Sequence, residues 1–201
     1  MSAESKVSCY ITAGGKATRM NGCIKAFIEI DGERIIDKNL REINSIFSEI
    51  GIITNTPDQF ISYREAGLQI VSDKYTDIGP LAGIHSAIYN TDADYVFIMA
   101  SDMPNISKGL IKDLISKAIS SKADAIIPTY NGKIEPLFAV YNKSIFMQLE
   151  TFIEKDESYA VRDFVKILNT VYYNLSDIFE DNNVFRNINY KNEIPIKINK
   201  P

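Results

Sequence analysis

Thr12-Ala13-Gly14-Gly15-Lys16 joins an apolar run to a segment that carries Arg19 and Lys25. Two adjacent glycines let backbone N–H groups approach a polyphosphate without interference from Cβ atoms. Arg19 and Lys25 then offer fixed positive charge to its oxygens. The loop lacks the Gly-Lys-Ser/Thr ending of a Walker A sequence, and it is not GxGxxG either. Alone it reads as a phosphate cradle or as a structural turn. Asp102, in Ser101-Asp102-Met103-Pro104, follows the most apolar run of the chain. A carboxylate there can bind Mg²⁺ while phosphates and waters complete the octahedron, or it can cap a turn before proline. Asp73 ends another apolar run at Val71-Ser72-Asp73 and precedes Gly79-Pro80-Leu81-Ala82-Gly83, whose glycines allow close backbone approach. Asn55 follows residues 52–54, suited to hydrogen-bonding a base or ribose, or to a turn. His85 is the only histidine. A Ser/His/Asp triad or a multi-histidine metal site therefore has little to work with, and a packed or surface role is the ordinary one.

These residues need a scaffold that brings strand ends together. Val7–Thr12 reads as a buried strand running straight into the glycine loop. Ile35, Ile36, Leu40, Ile43, Ile46 and Phe47 share one helical face, and Gly51 reads as the stop before a strand at 52–54. A short strand at 68–71 precedes Gly79-Pro80, where the proline suits the first turn of a helix. Tyr95–Ala100 is almost wholly apolar, as a strand covered on both faces should be. Asn105 or Ser107 can cap the next helix, whose Leu110, Ile111, Leu114, Ile115, Ala118 and Ile119 lie on one face. Strands at 125–127 and 137–141 flank the turn Asn131-Gly132. Such alternation predicts parallel strands with right-handed crossovers, hence an α/β fold built as a three-layer α/β/α sandwich. In such sheets ligands gather at the carboxyl ends of the strands, where the polar residues above fall.

The chain has 201 residues, 45% apolar and 24% charged, which predicts one domain with one sizeable core. A formal net charge of -4 argues against a dedicated nucleic-acid binder, which needs a basic face. Cys9 and Cys23 have no metal-ligand spacing and read as reduced thiols of a cytoplasmic protein. No apolar run approaches the roughly 20 residues of a membrane span. Asn182, Asn183, Asn187, Asn189 and Asn192 make the last segment polar and turn-rich, and residues 190–201 read as a mobile tail.

Taken in order, AGGKATRMNGCIKAF, the strand-end Asn55, VSD, GPLAG and MASDMP resemble the molybdenum cofactor guanylyltransferases. That family carries a LAGG-x-[SA]-x-RM-G-x-DK loop, a GPLAG turn and a strand-end aspartate with a proline shortly after. The resemblance is dense from Cys9 to Pro104 and thinner at 134–141 and 186–194. It implies a Rossmann-like nucleotidyltransferase fold with a mostly parallel sheet, and transfer of GMP from GTP to molybdopterin with Mg²⁺. It also implies that Thr12, Ala13, Gly14 and Gly15 contact GTP through the loop backbone. Lys25 and Arg19 would neutralise phosphate charge, Asn55 and Asp73 would hold the nucleoside part, and Asp102 would bind Mg²⁺ and nucleotide. The partners implied are GTP and molybdopterin, with cofactor-synthesis proteins or molybdoenzymes beyond them, and neither nucleic acid nor membrane. Two positions depart from the pattern: Thr12 replaces the usual leucine, and Ile24-Lys25 replaces Asp-Lys. Glu135-Pro136, 187–189 and Arg162 are positional candidates for the pterin side. The loop reads phosphates rather than a base. CTP, a sugar-phosphate acceptor, or a non-catalytic carrier of the cofactor therefore stay open.

Overall fold

The computed structural model describes residues 6–14 and 24–175. Gly15, Arg19, residues 187–189 and the tail 190–201 lie outside the described residues. Ten strands are described: β1 (Val7–Thr12), β2 (Glu29–Ile30), β3 (Glu33–Arg34), β4 (Ile50–Ile53), β5 (Gln69–Val71), β6 (Tyr95–Ala100), β7 (Ala125–Tyr130), β8 (Lys133–Ile134), β9 (Phe138–Asn142) and β10 (Thr170–Asn174). The α-helices among these residues are α1 (Ile35–Ile43), α2 (Ile61–Glu65), α3 (Pro80–Asn90), α4 (Lys108–Ser121), α5 (Phe146–Glu154) and α6 (Val161–Lys166).

The main sheet runs β10-β7-β9-β6-β1-β4-β5, with β8 added on β7, while β2 and β3 form a separate hairpin. Side chains alternate across the sheet because the strand period is two. Cys9 and Ile11 of β1, with Phe97 and Met99 of β6, pack on one face against Ile43 of α1 and Leu110, Ile111 and Leu114 of α4. Tyr10, Val96 and Ile98 pack on the other against Leu81, Ile84 and Ile88 of α3 and Leu149 of α5. Three layers result, as the alternation predicts. Every residue of β6 is buried, which is why that strand reads as an unbroken apolar run. No described helix is long and apolar enough to cross a membrane.

Two expectations need correction. β1 is parallel to β4 and β6, β4 to β5, and β7 to β10, but β9 runs antiparallel to both β6 and β7. The reason is reach. Only residues 131–137 separate β7 from β9, they include the left-handed turn Asn131-Gly132 (φ 48° and 74°), and a parallel crossover needs a dozen or more. The second concerns Gly51, which does not stop a helix but sits inside β4 opposite Tyr10. A Cβ on Gly51 would lie 2.4 Å from Cε1 of Tyr10, so the glycine makes room for that ring. The ring is fully buried and its hydroxyl donates to Oε1 of Gln69 at 2.5 Å, so it has little freedom to retreat. Gly51→Ala is therefore expected to lower stability by about 1–3 kcal/mol through overpacking. Urea denaturation checks this, and an unchanged midpoint would contradict the packing account.

The cap of α4 is Ser107, whose Oγ accepts from the Leu110 N–H at 3.3 Å. Pro80 opens α3 behind Gly79, which holds φ 63°.

Candidate active site

The carboxyl ends of β6, β1, β4 and β5 lie side by side, and Asn55, Asp73, Lys25 and Asp102, singled out in the sequence, lie along that edge. β1 ends at Thr12, whose Oγ1 donates to the Met99 carbonyl at 3.3 Å and whose own carbonyl accepts from the Ser101 N–H at 3.1 Å. The Ala13 N–H donates to the Ile53 carbonyl at 2.8 Å. The entrance to the glycine loop is thus pinned to β6 on one side and β4 on the other. Helix α3 comes very close to this point: a Cβ on Gly83 would stand 2.9 Å from Cγ2 of Thr12. The second glycine of GPLAG is therefore explained by helix-to-strand contact rather than by contact with a ligand.

Beside Gly14 lies a compact polar pair. Asn55 Nδ2 donates to Asp73 Oδ2 at 3.0 Å, and the Asp73 N–H donates back to Asn55 Oδ1 at 3.2 Å. Ser86 of α3 donates to the other oxygen, Asp73 Oδ1, at 3.1 Å. A Cβ on Gly14 would be 3.8 Å from Asp73 Oδ2, so the loop backbone and this carboxylate face one space. Ser86 is buried and reads in the sequence as an ordinary helical polar residue, so nothing there marks it as the support of Asp73.

Across β1, Lys25 Nζ stands 2.9 Å from Asp102 Oδ2. Lys25 opens a short 3-10 turn over Lys25–Phe27, closed by the Phe27 N–H on the Ile24 carbonyl at 3.0 Å. The turn is anchored by Ala26, fully buried with Ile36, Ile52 and Phe60, and Ile24 packs on the same cluster. The apolar Ile24 thus helps seat the turn, while a carboxylate from the end of β6 meets the lysine. Asp102 is held in place by its neighbour: Met103 is buried, and its carbonyl accepts from Asn39 Nδ2 of α1 at 3.1 Å. Asn39 is a second support that the sequence does not announce, since its burial is decided by α1 packing under the Asp102 loop.

Among the described residues no group of three or more His, Cys, Asp or Glu is arranged to hold a metal ion. A lone strand-end carboxylate still suits a cation that keeps several waters and is completed by substrate phosphates. Asp102 is a strand-end carboxylate of that kind, with the Lys25 ammonium at its Oδ2. His85 is elsewhere, fully buried in α3, with Nε2 2.5 Å from Glu150 Oε1 of α5. Burial holds its pKa below the usual value, with Glu150 acting against the shift. It is the packed histidine the sequence suggests.

Sheet, strand-end aspartates, lysine and glycine-loop entrance together define a nucleotide-binding protein of the nucleotidyltransferase type. Residues 9–171 match the MobA-like NTP transferase domain, and the chain belongs to that family. It is 37% identical over 162 residues to the probable molybdenum cofactor guanylyltransferase of Natranaerobius thermophilus, covering 80% of this chain and 78% of that one. It is 34% identical over 165 residues to the molybdenum cofactor guanylyltransferase of Syntrophotalea carbinolica, covering 82% and 76%. The fold is similar to that of molybdopterin-guanine dinucleotide biosynthesis protein A from Archaeoglobus fulgidus, with TM-score 0.77, 23% identity, and 93% and 94% of the two chains covered. It is also similar to 4-diphosphocytidyl-2C-methyl-D-erythritol synthase from Anaerococcus prevotii, with TM-score 0.73, 14% identity, and 94% and 93% covered.

Proposed function

We propose that this protein transfers GMP from GTP to molybdopterin, forming molybdopterin guanine dinucleotide and releasing pyrophosphate. The observation that carries the reading is the Lys25–Asp102 pair, 2.9 Å apart beside the glycine-loop entrance, in a chain 34% identical to a molybdenum cofactor guanylyltransferase. The enzyme is a nucleotidyltransferase, and the reading places it in the cytoplasm.

The nucleophile is an oxygen of the acceptor's terminal phosphate, already anionic at neutral pH. It forms a bond to the α-phosphorus of GTP while the bond to the α–β bridging oxygen breaks, and that oxygen leaves with pyrophosphate. No proton has to be removed from the nucleophile and no covalent enzyme intermediate is needed. The obstacle is repulsion between two polyanions, so the work is positioning and charge neutralisation. The loop backbone from Thr12 through Ala13 and Gly14 to Gly15 would line the triphosphate, with Lys25 and Arg19 opposing its charge. Because the Ala13 N–H is taken by the Ile53 carbonyl, the N–H donors would begin at Gly14. The Asn55–Asp73 pair would hold the nucleoside, fixed in one orientation by Ser86. Asp102 would hold Mg²⁺, which when bound would supply Lewis acidity to the reaction.

A nucleotide titration with and without Mg²⁺ tests this reading. GTP is expected to bind more tightly than CTP by about tenfold or more, with Mg²⁺ strengthening GTP binding, and pyrophosphate is expected once molybdopterin is added. CTP bound as well as GTP would redirect the reading to cytidylyl transfer. Retention of the finished dinucleotide with no pyrophosphate release would redirect it to a carrier.

A further inference from the structure

The polar edge of the sheet continues beyond Asp102. Strand β9 lies beside β6 on the side away from β1, and because it is antiparallel its first residue, Phe138, is level with Met99. Residues 135–137 therefore arrive at the same edge as Asp102. Glu135 and Pro136 line a cleft of about 360 Å³, closed by Pro80 and Met103 on the Asp102 side and by Tyr159 and Arg162 at the start of α6. That volume suits a small bicyclic ring.

Glu135 is half-buried, and among the described residues nothing hydrogen-bonds or ion-pairs with its carboxylate. Burial pushes its pKa up, the charge of Asp102 adds to the shift, and Lys133 opposes it. A partly desolvated carboxylate without donors is costly, and a ligand with paired N–H groups would relieve it.

We propose that this cleft seats the ring of the acceptor, with the Glu135 carboxylate accepting two parallel N–H bonds from the ring's amide and amino groups. The inference rests on the reading above that the acceptor is a pterin phosphate. A 2-amino-4-oxo ring presents an amide N–H beside an exocyclic amino group, and the spacing matches two carboxylate oxygens as a guanidinium does. Guanine presents the same edge. Sheet order assigns the cleft to the acceptor instead: the Asn55–Asp73 pair is at the ends of β4 and β5, while the cleft lies on the far side of β6. Lys25 and Asp102 then stand between the two rings, where the phosphates must meet.

The test is a fluorescence titration of the full chain with 6-hydroxymethylpterin and with 6-hydroxymethyllumazine, in which a carbonyl replaces the 2-amino group. Wild type is expected to prefer the pterin by about tenfold or more, and Glu135→Gln to lose about tenfold or more in pterin affinity. GTP affinity and the melting temperature of the variant should stay unchanged. Unaltered pterin binding in Glu135→Gln overturns the proposal. So does a loss of GTP affinity in its place, which would assign the carboxylate to guanine. A wild type that transfers GMP without preferring pterin over lumazine removes the cleft assignment and leaves the transfer reading intact. A wild type that neither binds GTP nor releases pyrophosphate removes both.

Discussion

Asp102→Asn is expected to lower Mg²⁺-dependent transfer by about 10²–10³, the range found when one preorganised charge-stabilising group is removed elsewhere. Asparagine keeps the shape of the side chain and discards its charge, so the loss should fall on metal binding rather than on folding. The ion pair with Lys25 contributes little to stability, because the lysine side chain is 32% exposed and solvent screens the pair. The buried Met103 and its bond from Asn39 are untouched by the change. A thermal melt within a few degrees of wild type is therefore expected. Without metal, the variant should bind GTP as tightly as wild type or more tightly, since a negative charge facing the triphosphate has gone. With Mg²⁺ the order should reverse, because wild type gains affinity and the variant does not. Calorimetric titration in both conditions reads the crossover. Equal Mg²⁺ responses in the two proteins would remove Asp102 from the metal site.

How much of this arrangement can be read before the chain is folded depends on how local its cause is. Strand β6 is legible because burial of every residue leaves no polar position to obscure it. The Gly79-Pro80 start of α3 is legible because both residues act through their own backbone angles. Gly51 is misread for the opposite reason. A glycine can interrupt a helix or vacate space, and only the ring of Tyr10, far along the chain, decides which. The direction of β9 is fixed by the length of the preceding segment, which residue types at 137–141 do not express. The site shows the same division. Asp73, Asp102 and Asn55 announce themselves as polar residues where apolar runs end. Their partners do not: Ser86 and Asn39 become supports only when α3 and α1 pack against the sheet. Ile24 shows how a local pattern can mislead. The sequence records a carboxylate missing beside Lys25, whereas the fold brings Asp102 to within 2.9 Å of it.

The contact between Lys25 and Asp102 bears on the second large effect. Lys25→Met is expected to lower kcat/KM for GTP by about 10²–10³, equivalent to about 2.7–4 kcal/mol of transition-state stabilisation. Methionine preserves the aliphatic stem and removes only the charge, and Ala26, fully buried beneath the turn, keeps the backbone in place. Negative charge accumulates on the departing pyrophosphate as the α–β bond breaks, so an ammonium fixed nearby stabilises the transition state more than the bound substrate. The loss should therefore appear chiefly in kcat, with a smaller rise in KM. Lys25→Arg should recover binding more than turnover, since the planar guanidinium keeps the charge but spreads it over a fork that the Asp102 contact was not shaped for. Because Lys25 and Asp102 touch, the double variant Lys25→Met/Asp102→Asn should be no worse than the poorer single variant, a non-additivity expected of groups that act as one unit. Additive losses would mean that the two residues serve separate steps and that their contact is incidental to catalysis. Wild-type kcat/KM in Lys25→Met would exclude the lysine from the phosphate site and leave Arg19, on the same loop, to be tested in its place.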